Sequence, residues 1–558
     1  MFFTLGVSAA SPERCAELTG RALAADPSVM PVPGPAEVAW RSPDGRAALL
    51  RWGGAPETGL GGAHETGLGT GAETGLGAGA ETAGASRAGT IWAGTPEPRG
   101  GRVPLCARTS VTRVDPVYLA EVPGAVVVAD RAAWAAWTAS RLDAHDPLHL
   151  CALLNPGFPL GSVTPFTGVT AVAGSTTLRL LDGSVTRPAA PGPGARPGGA
   201  RDVAESLVAA VAPLRDAGAP VELSLTGGKD SRLIAAALVK AGVPVVARTH
   251  GFDDHPDVVV AAEIARRLGI EHVVRTPAAP GQRVDVLGRI RATVLVADGM
   301  LSAFENVGRP DPAASPALTA GGHGGELLRG GYAETSGRLA VAGGLRRAVA
   351  PPPRAARSAE LLRRLTTKHL GLIRRGPAAA YVASLAPWTP RLARHPMQAL
   401  DDFYLVNRAG RWSAAARQAY LLRERLVQPL FDDRVVLAAR TVPLTDRVSG
   451  ALSAAVLAEL SPALADVPLA GKPPAGAHPP FDWRRQYGDA ITTFLRGYIL
   501  DLGTTSALFD VVSRPAAEKL LTPPHADRAS VWALATAACL VSGDYRHARE
   551  PTHQLPVA

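Results

Sequence analysis

Two stretches of the chain combine residue types and spacing able to do chemistry on phosphates. The first is Val221-Glu222-Leu223-Ser224-Leu225-Thr226-Gly227-Gly228-Lys229-Asp230-Ser231-Arg232. It reads as a buried strand, a two-glycine turn and a helix, because Leu233, Ile234, Ala237 and Leu238 recur at helical spacing. Gly227 and Gly228 let the backbone approach a ligand with no Cβ in the way, and a helix start offers unpaired N–H groups and a partial positive charge. Ser224, Thr226, Gly227, Gly228, Lys229, Asp230 and Ser231 are therefore the candidate phosphate-binding residues. Asp230 adds a carboxylate beside them, a natural ligand for Mg²⁺, which takes one or two protein carboxylates plus phosphate oxygens and water. The Walker-type loop, with four residues before Gly-Lys-Ser/Thr, is not matched. A two-glycine turn between strand and helix can also be purely structural.

The second stretch is Leu318-Thr319-Ala320-Gly321-Gly322-His323-Gly324-Gly325-Glu326-Leu327-Leu328-Arg329-Gly330-Gly331-Tyr332. A strand enters a loop with more glycines than turn geometry requires. Gly322 and Gly324 join the candidate ligand-binding residues.

The first loop resembles the pyrophosphatase-type nucleotide loop (Ser-Gly-Gly-x-Asp-Ser) of the asparagine synthetase family, with Thr226 in place of the first Ser. The second resembles that family's Gly-Glu-Gly-Ser-Asp-Glu-x-x-Gly-Gly-Tyr, aligned without gaps from Gly322 to Tyr332. Glu326 then lies at the metal-binding Asp, so the resemblance makes it the second candidate metal ligand, and it makes His323 the candidate proton acceptor. His323 lies where asparagine synthetase has a catalytic Glu and β-lactam synthetase a Tyr. Lys472, in Ala470-Gly471-Lys472-Pro473, is matched to the family's essential lysine. Asp257, Ala261, Gly269 and His272 fall where the family carries the same residue types, with His272 read as a satisfied strand histidine. Pro429-Leu430-Phe431-Asp432 resembles the family's Pro-Phe-Leu-Asp element, with Asp432 read as a helix cap, and Ser530 to Leu540 resembles its C-terminal apolar helix.

The elements that must position these loops follow from periodicity. Strands at Val221 onward, Pro244 to Thr249 and Glu271 to Arg275 alternate with helices, one of them starting at Pro256 and stopping at Gly269. Such alternation predicts an α/β domain with a doubly wound parallel sheet that binds its ligand at the strand C-termini. Its C-terminal part reads as helical.

Residues 1–195 read as a separate β-rich domain, with apolar segments at Phe2 to Val7, Ala47 to Trp52, Val103 to Ala107, Ala125 to Ala129 and Thr176 to Leu181. Glu-Thr-Gly-Leu-Gly begins at Glu57, Glu65 and Glu73, inside a Gly-rich insertion of about residues 54–90 expected to be disordered. Pro188 to Arg201 is the expected linker to a synthetase domain over 196–558. The first domain resembles the family's N-terminal-nucleophile domain, an αββα sandwich, through Val127 to Arg131 and Thr164 to Gly183. Glutaminases of that type need a cysteine at the mature N-terminus, where the free α-amine can serve as base. Here Phe2 follows Met1, and exposing Cys15 would delete the first strand, so the domain is expected to be a degenerate scaffold, as in β-lactam synthetases and lasso-peptide cyclases.

At 558 residues and 46% hydrophobic content the chain can form two or three cores. No stretch reaches the roughly 18 uncharged apolar residues of a membrane span. Cys15, Cys106, Cys151 and Cys539 show no ligand-like spacing, which points to a reduced cytoplasm and away from zinc. The net charge of +9 is concentrated: residues 344–395 hold ten Arg, Lys368 and a single acid, Glu360. That segment reads either as solvated helix faces or as a landing surface for an acidic peptide or carrier protein, nucleic acid being disfavoured.

The resemblance implies an AMP-forming, ATP- and Mg²⁺-dependent carboxylate–amine ligase without glutaminase activity, acting on a small-molecule or peptide carboxylate and an amine in specialised metabolite or peptide modification. Alternatives are an asparagine synthetase using free or partner-supplied ammonia, and a non-catalytic partner protein of the family. These separate on whether ammonium or only an amine substrate gives amide, and on whether ATP is split at all.

Overall fold

The computed structural model describes residues 3–26, 36–52, 91–94, 96, 101–188, 198–276, 283–305, 307, 318–336, 354–422, 425–471, 489–503, 506–522, 528–548 and 555–556. The Gly-rich insertion and most of the expected linker lie outside the described residues.

The N-terminal part pairs strands β1 (Phe3–Ala9), β2 (Ala36–Arg41), β3 (Ala47–Trp52), β4 (Ile91–Ala93), β5 (Leu105–Arg108), β6 (Tyr118–Val122), β7 (Ala125–Ala129), β8 (Val169–Ala171), β9 (Thr177–Leu181) and β10 (Ser184–Thr186) into two sheets. One runs β2-β3-β1-β7-β6-β8 and the other β10-β9-β5-β4, and their strands are antiparallel. Strand residues alternate between faces, and here both faces are apolar. Leu49, Val126 and Val128 pack with Ile91, Leu105 and Leu178 of the second sheet. Leu5, Val7, Leu50 and Val127 face the other way, toward Leu18 of helix α1 (Pro12–Leu23) and Trp134 of α2 (Ala132–Thr138). This domain is thus more helical than its sequence suggests, since α1, α2 and α3 (Pro147–Leu154) are not apparent from composition. Asp182 and Gly183 form the turn between β9 and β10, both with positive φ, 49° and 75°.

Residues 200–296 fold as α4 (Ala200–Val211), β11 (Val221–Ser224), α5 (Lys229–Lys240), β12 (Val245–His250), α6 (Pro256–Leu268), β13 (Glu271–Arg275), β14 (Arg283–Val284) and α7 (Val286–Val296). With β15 (Leu318–Ala320) and β16 (Arg425–Val427) they build a five-stranded sheet in the order β13-β12-β11-β15-β16, parallel throughout. Its core joins Leu223 to Val203 and Leu207 of α4, Leu233 and Ile234 of α5 and Ile264 of α6. Helix α6 starts with Pro256 in its first turn, below His255, whose Nδ1 accepts from Asp257 N at 3.2 Å, and ends on left-handed Gly269. The rest of the described chain is mostly helical, with the apolar helix Arg528–Ser542 and an unusual π-helical run at Tyr404–Ser413.

The two parts are joined through buried charge. Arg131 and Asp298, both fully buried, form an ion pair, and Arg131 also donates to Val296 O at 2.8 Å. Asp433 accepts from Val111 N at 2.8 Å. Next to Arg131, burial pushes the Asp130 carboxyl up to about 7, against the hydrogen bond from Thr4 N. An unfolded Asp titrates near ~3.9. The fold therefore holds a proton that the unfolded chain has released, and this group's share of stability is lost as pH rises from about 4 to about 7, by at most ~1.4 kcal/mol per pH unit. Asp130→Asn is expected to flatten that decline, read as the urea midpoint against pH in the two proteins.

Candidate active site

The order β13-β12-β11-β15-β16 reverses direction between β11 and β15, the switch point at which open parallel sheets leave a crevice beyond the strand C-termini. Register pairs Glu222 with Thr319 and Leu223 with Ala320, so the loops that follow the two strands leave the sheet side by side. Both glycine-rich stretches are those loops.

Within the first loop, Thr226 N donates to Ser231 Oγ at 3.1 Å, Gly228 N to Thr226 Oγ1 at 3.2 Å and Gly227 N to Asp257 Oδ1 at 3.0 Å. Helix α5 begins at Lys229 with Gly228 as N-cap and no side chain capping it, leaving its first-turn N–H groups for a ligand. Arg232, almost fully buried, donates to Gly228 O, Gly227 O, Val467 O and Pro468 O at 2.9–3.0 Å. Ala470 N donates to Gly227 O at 3.1 Å. The segment ahead of Lys472 is thereby fastened to the loop, while Lys472 itself lies outside the described residues. Ser224 and Thr226 are exposed at the strand end. Lys229 extends toward the turn at Gly450, where an added Cβ would lie 3.7 Å from its Nζ.

The second loop closes on the first. A Cβ on Gly322 would stand 2.7 Å from Ser231 N and 3.0 Å from Asp230 C, so only glycine permits this approach to the helix start. A Cβ on Gly325 would collide with the Asp230 carboxylate. Gly324 has φ +99°, with Phe431 packed against it. His323 is exposed at the loop tip. Glu326 is half-buried and hydrogen-bonded by the Tyr404 phenol, whose proton burial and the Glu326 charge hold well above the ordinary tyrosine range. Arg447, buried and paired with Asp401 at 2.8 Å, donates to Leu327 O at 2.5 Å and fixes the loop's far end.

Asp230 has a partner the sequence did not announce. Arg329, 8% exposed, grips both of its carboxylate oxygens: Nη1 on Oδ1 and Nη2 on Oδ2 at 3.2 Å. Its Nε reaches Glu334 Oε2 at 3.2 Å. Burial raises the Asp230 carboxyl above its ordinary value, the Arg329 bond pulls it down, and Glu326 and Glu334 push it up again. As arranged, these residues do not fit a divalent metal. Both Asp230 oxygens are taken by a guanidinium, and among the described residues no group of three or more His, Cys, Asp or Glu side chains could hold an ion.

Arg329, Glu334 and Arg232 are the site residues that sequence reading did not assign. An arginine directly after Leu327-Leu328, in a segment that packs inward, was the available signal for Arg329. His272 is the satisfied histidine expected, its Nε2 2.8 Å from Thr249 Oγ1. Asp432 is a cap, accepting from Arg434 N at 2.9 Å. Cys15 is buried on α1, where burial holds its thiol above the usual value, and β1 before it lies between β3 and β7.

No helix among the described residues is long and apolar enough to cross a membrane. No curated protein matches the chain. The sequence model of the asparagine synthase family matches residues 202–460, the stretch that supplies β11 to β16 and both glycine-rich loops. Residues 202–460 thus form a domain of the asparagine synthase family.

Proposed function

We propose that the chain is an ATP-dependent ligase that activates a substrate carboxylate as an acyl-adenylate and couples it to an amine. The observation that carries this reading is the closure of the Gly322 loop over the uncapped start of α5 at the sheet's switch point. In the first step a carboxylate oxygen attacks the α-phosphorus of ATP, and the bond to the departing pyrophosphate breaks. The N–H groups from Gly228 to Ser231 receive the charge gathering on pyrophosphate. Lys229, and Lys472 beyond the docked Ala470, supply cations at its edge. In the second step the amine nitrogen attacks the acyl carbon, AMP leaves, and His323 takes the amine's proton. Family members typically add Mg²⁺, which supplies charge neutralisation on phosphate; the steps above rest on the chain's own groups. Finding AMP and pyrophosphate as ATP products supports this route, and ADP with phosphate rules it out.

The N-terminal domain we read as the degenerate nucleophile-hydrolase-like scaffold of such a ligase. Its two stacked antiparallel sheets with helices on an outer face support this. The amine is then a substrate amine and not ammonia freed from glutamine, in keeping with specialised metabolite or peptide modification.

His323→Ala is expected to leave adenylation, followed by pyrophosphate exchange, nearly intact while amide formation falls by about 10² to 10⁴, the usual worth of a positioned base. Equal loss of both half-reactions would return His323 to a phosphate-contact or packing role.

The basic segment we read as the landing surface for an acidic peptide or carrier protein. Helix Arg354–Thr366 carries Arg363 and Arg364 well exposed, both bonded to Glu360, so two cations share one acid. Arg374 instead donates to Phe509 O at 3.0 Å and is structural. Reversing Arg363, Arg364 and Arg375 to Glu is expected to raise KM for the carboxylate substrate and flatten its salt dependence with kcat nearly unchanged. Unaltered kinetics would mark these as solvated helix faces.

A further inference from the structure

The guanidinium of Arg329 stands against Asp230 where a metal-dependent site would seat its ion. Three features make this more than a surface pair. The arginine is nearly buried, so it is not a mobile side chain that happened to reach a carboxylate. It engages both oxygens of Asp230 and, through Nε, a second acid at 3.2 Å, so its planar fork is satisfied on two sides. And Gly325, whose Cβ would collide with the Asp230 carboxylate, leaves that carboxylate the room to lie in the arginine's plane. Asp230, Glu326 and Glu334 together place three acids around one buried cation. Without the arginine, Asp230 and Glu334 would be left with no cation between them, and one or two carboxylates with water suffice for a divalent ion.

We propose that Arg329 is the resident cation of this site and excludes a divalent metal from Asp230 in the nucleotide-free protein. The chain then carries within its fold a positive charge that a metal-dependent site must collect from solution. Metal can take Asp230 only after the guanidinium has been drawn off, and the phosphates of a bound nucleotide are the competing anion with the geometry to draw it, since an arginine fork fits phosphate as it fits carboxylate. The nucleotide part of this sequence rests on the ligase reading above; the exclusion of metal in the free protein does not.

The test is a Mn²⁺ titration of the nucleotide-free full chain, free Mn²⁺ being read by its electron paramagnetic resonance signal. Wild type is expected to bind Mn²⁺ only weakly at this site. Arg329→Met, which keeps the length of the stem and removes the fork, is expected to bind one Mn²⁺ per chain about 10- to 100-fold more tightly, the scale of the charge-assisted bonds removed. Arg329→Lys, retaining charge without the bidentate grip, is expected to fall between the two. Should the methionine variant fail to fold, as judged by circular dichroism and thermal melting, wild type and the lysine variant still decide. One tightly bound Mn²⁺ in wild type, or a folded Arg329→Met with no gain, overturns the proposal. Adding α,β-methylene-ATP to wild type, with nucleotide binding followed separately by equilibrium dialysis, tests the ligase reading. Absent nucleotide binding sinks that reading and leaves the nucleotide-free titration standing.

Discussion

Asp230→Asn is expected to lower adenylate formation by about 10² to 10³ or more, the range seen when one preorganised electrostatic contact is removed from a water-poor site. The melting temperature should barely move. The two halves of this expectation have one origin. Asp230 occupies the first turn of α5 beside the uncapped N–H groups, and it is the group that holds the Arg329 fork at the phosphate end of the crevice. An amide offers one uncharged acceptor oxygen where the carboxylate offers two charged ones, and its NH₂ would face a guanidinium donor, so Arg329 would shift toward Glu334 and the positive charge would leave its post. Stability is spared because burial and the charges of Glu326 and Glu334 already work against ionised Asp230, and a neutral isostere escapes that cost. Pyrophosphate release in a coupled assay gives the first quantity and a thermal melt the second. A large fall in melting temperature with proportionate loss of activity would instead make Asp230 a structural anchor.

Asp298→Ala is expected to do the reverse, costing about 3–5 kcal/mol of stability without touching a ligand-binding group, because it leaves the buried Arg131 charge beside Asp130 alone, whose burial favours its neutral form. Arg131 and Asp298 have no solvent exposure, and Asp298 Oδ2 also accepts from Ala133 N at 3.3 Å, at the start of α2. The pair therefore fixes three things at once: the end of β7, the first turn of α2 and the turn after α7. Denaturant unfolding should show the loss. Replacing both partners by well-packed apolar residues, Arg131→Met with Asp298→Leu, should recover much of it, since removing both charges also removes both desolvation costs. Asp298 has φ +52°, which limits that recovery, because a leucine is less at ease there than an aspartate. If Asp298→Ala alone unfolded at the wild-type denaturant concentration, the pair would contribute nothing to joining the two parts of the chain.

Much of this was legible in the residues. Leu233, Ile234, Ala237 and Leu238 announce α5, Pro256 and Gly269 bound α6, and the spans at Ala47–Trp52 and Ala125–Ala129 are the observed strands. These signals are local: helix and strand periods, and the backbone freedom of glycine, act over a few residues. The two phosphate-type loops belong to the same class of information, because a strand, a glycine turn and a helix are specified by consecutive residues. Helices α2 and α3 escaped because they are short and apolar all round, a pattern that carries no period to read, whereas α1 carries a capping Ser11 and a Pro12 start that the sequence offered.

What the sequence could not supply is which groups meet. Asp230 and Arg329 are 99 positions apart, and they touch only because β15 inserts beside β11 and delivers its loop onto the start of α5. Arg131 and Asp298 are 167 apart, in parts of the chain that appear independent when read in one dimension. A carboxylate that reads as a metal ligand in isolation becomes an ion-pair partner once the fold brings a guanidinium to it. Residue types marked two glycine-rich loops as candidate phosphate seats. Strand order and burial decided which charge waits there, because electrostatic partnership depends on distance and exclusion of water, and neither is a property of neighbours in sequence.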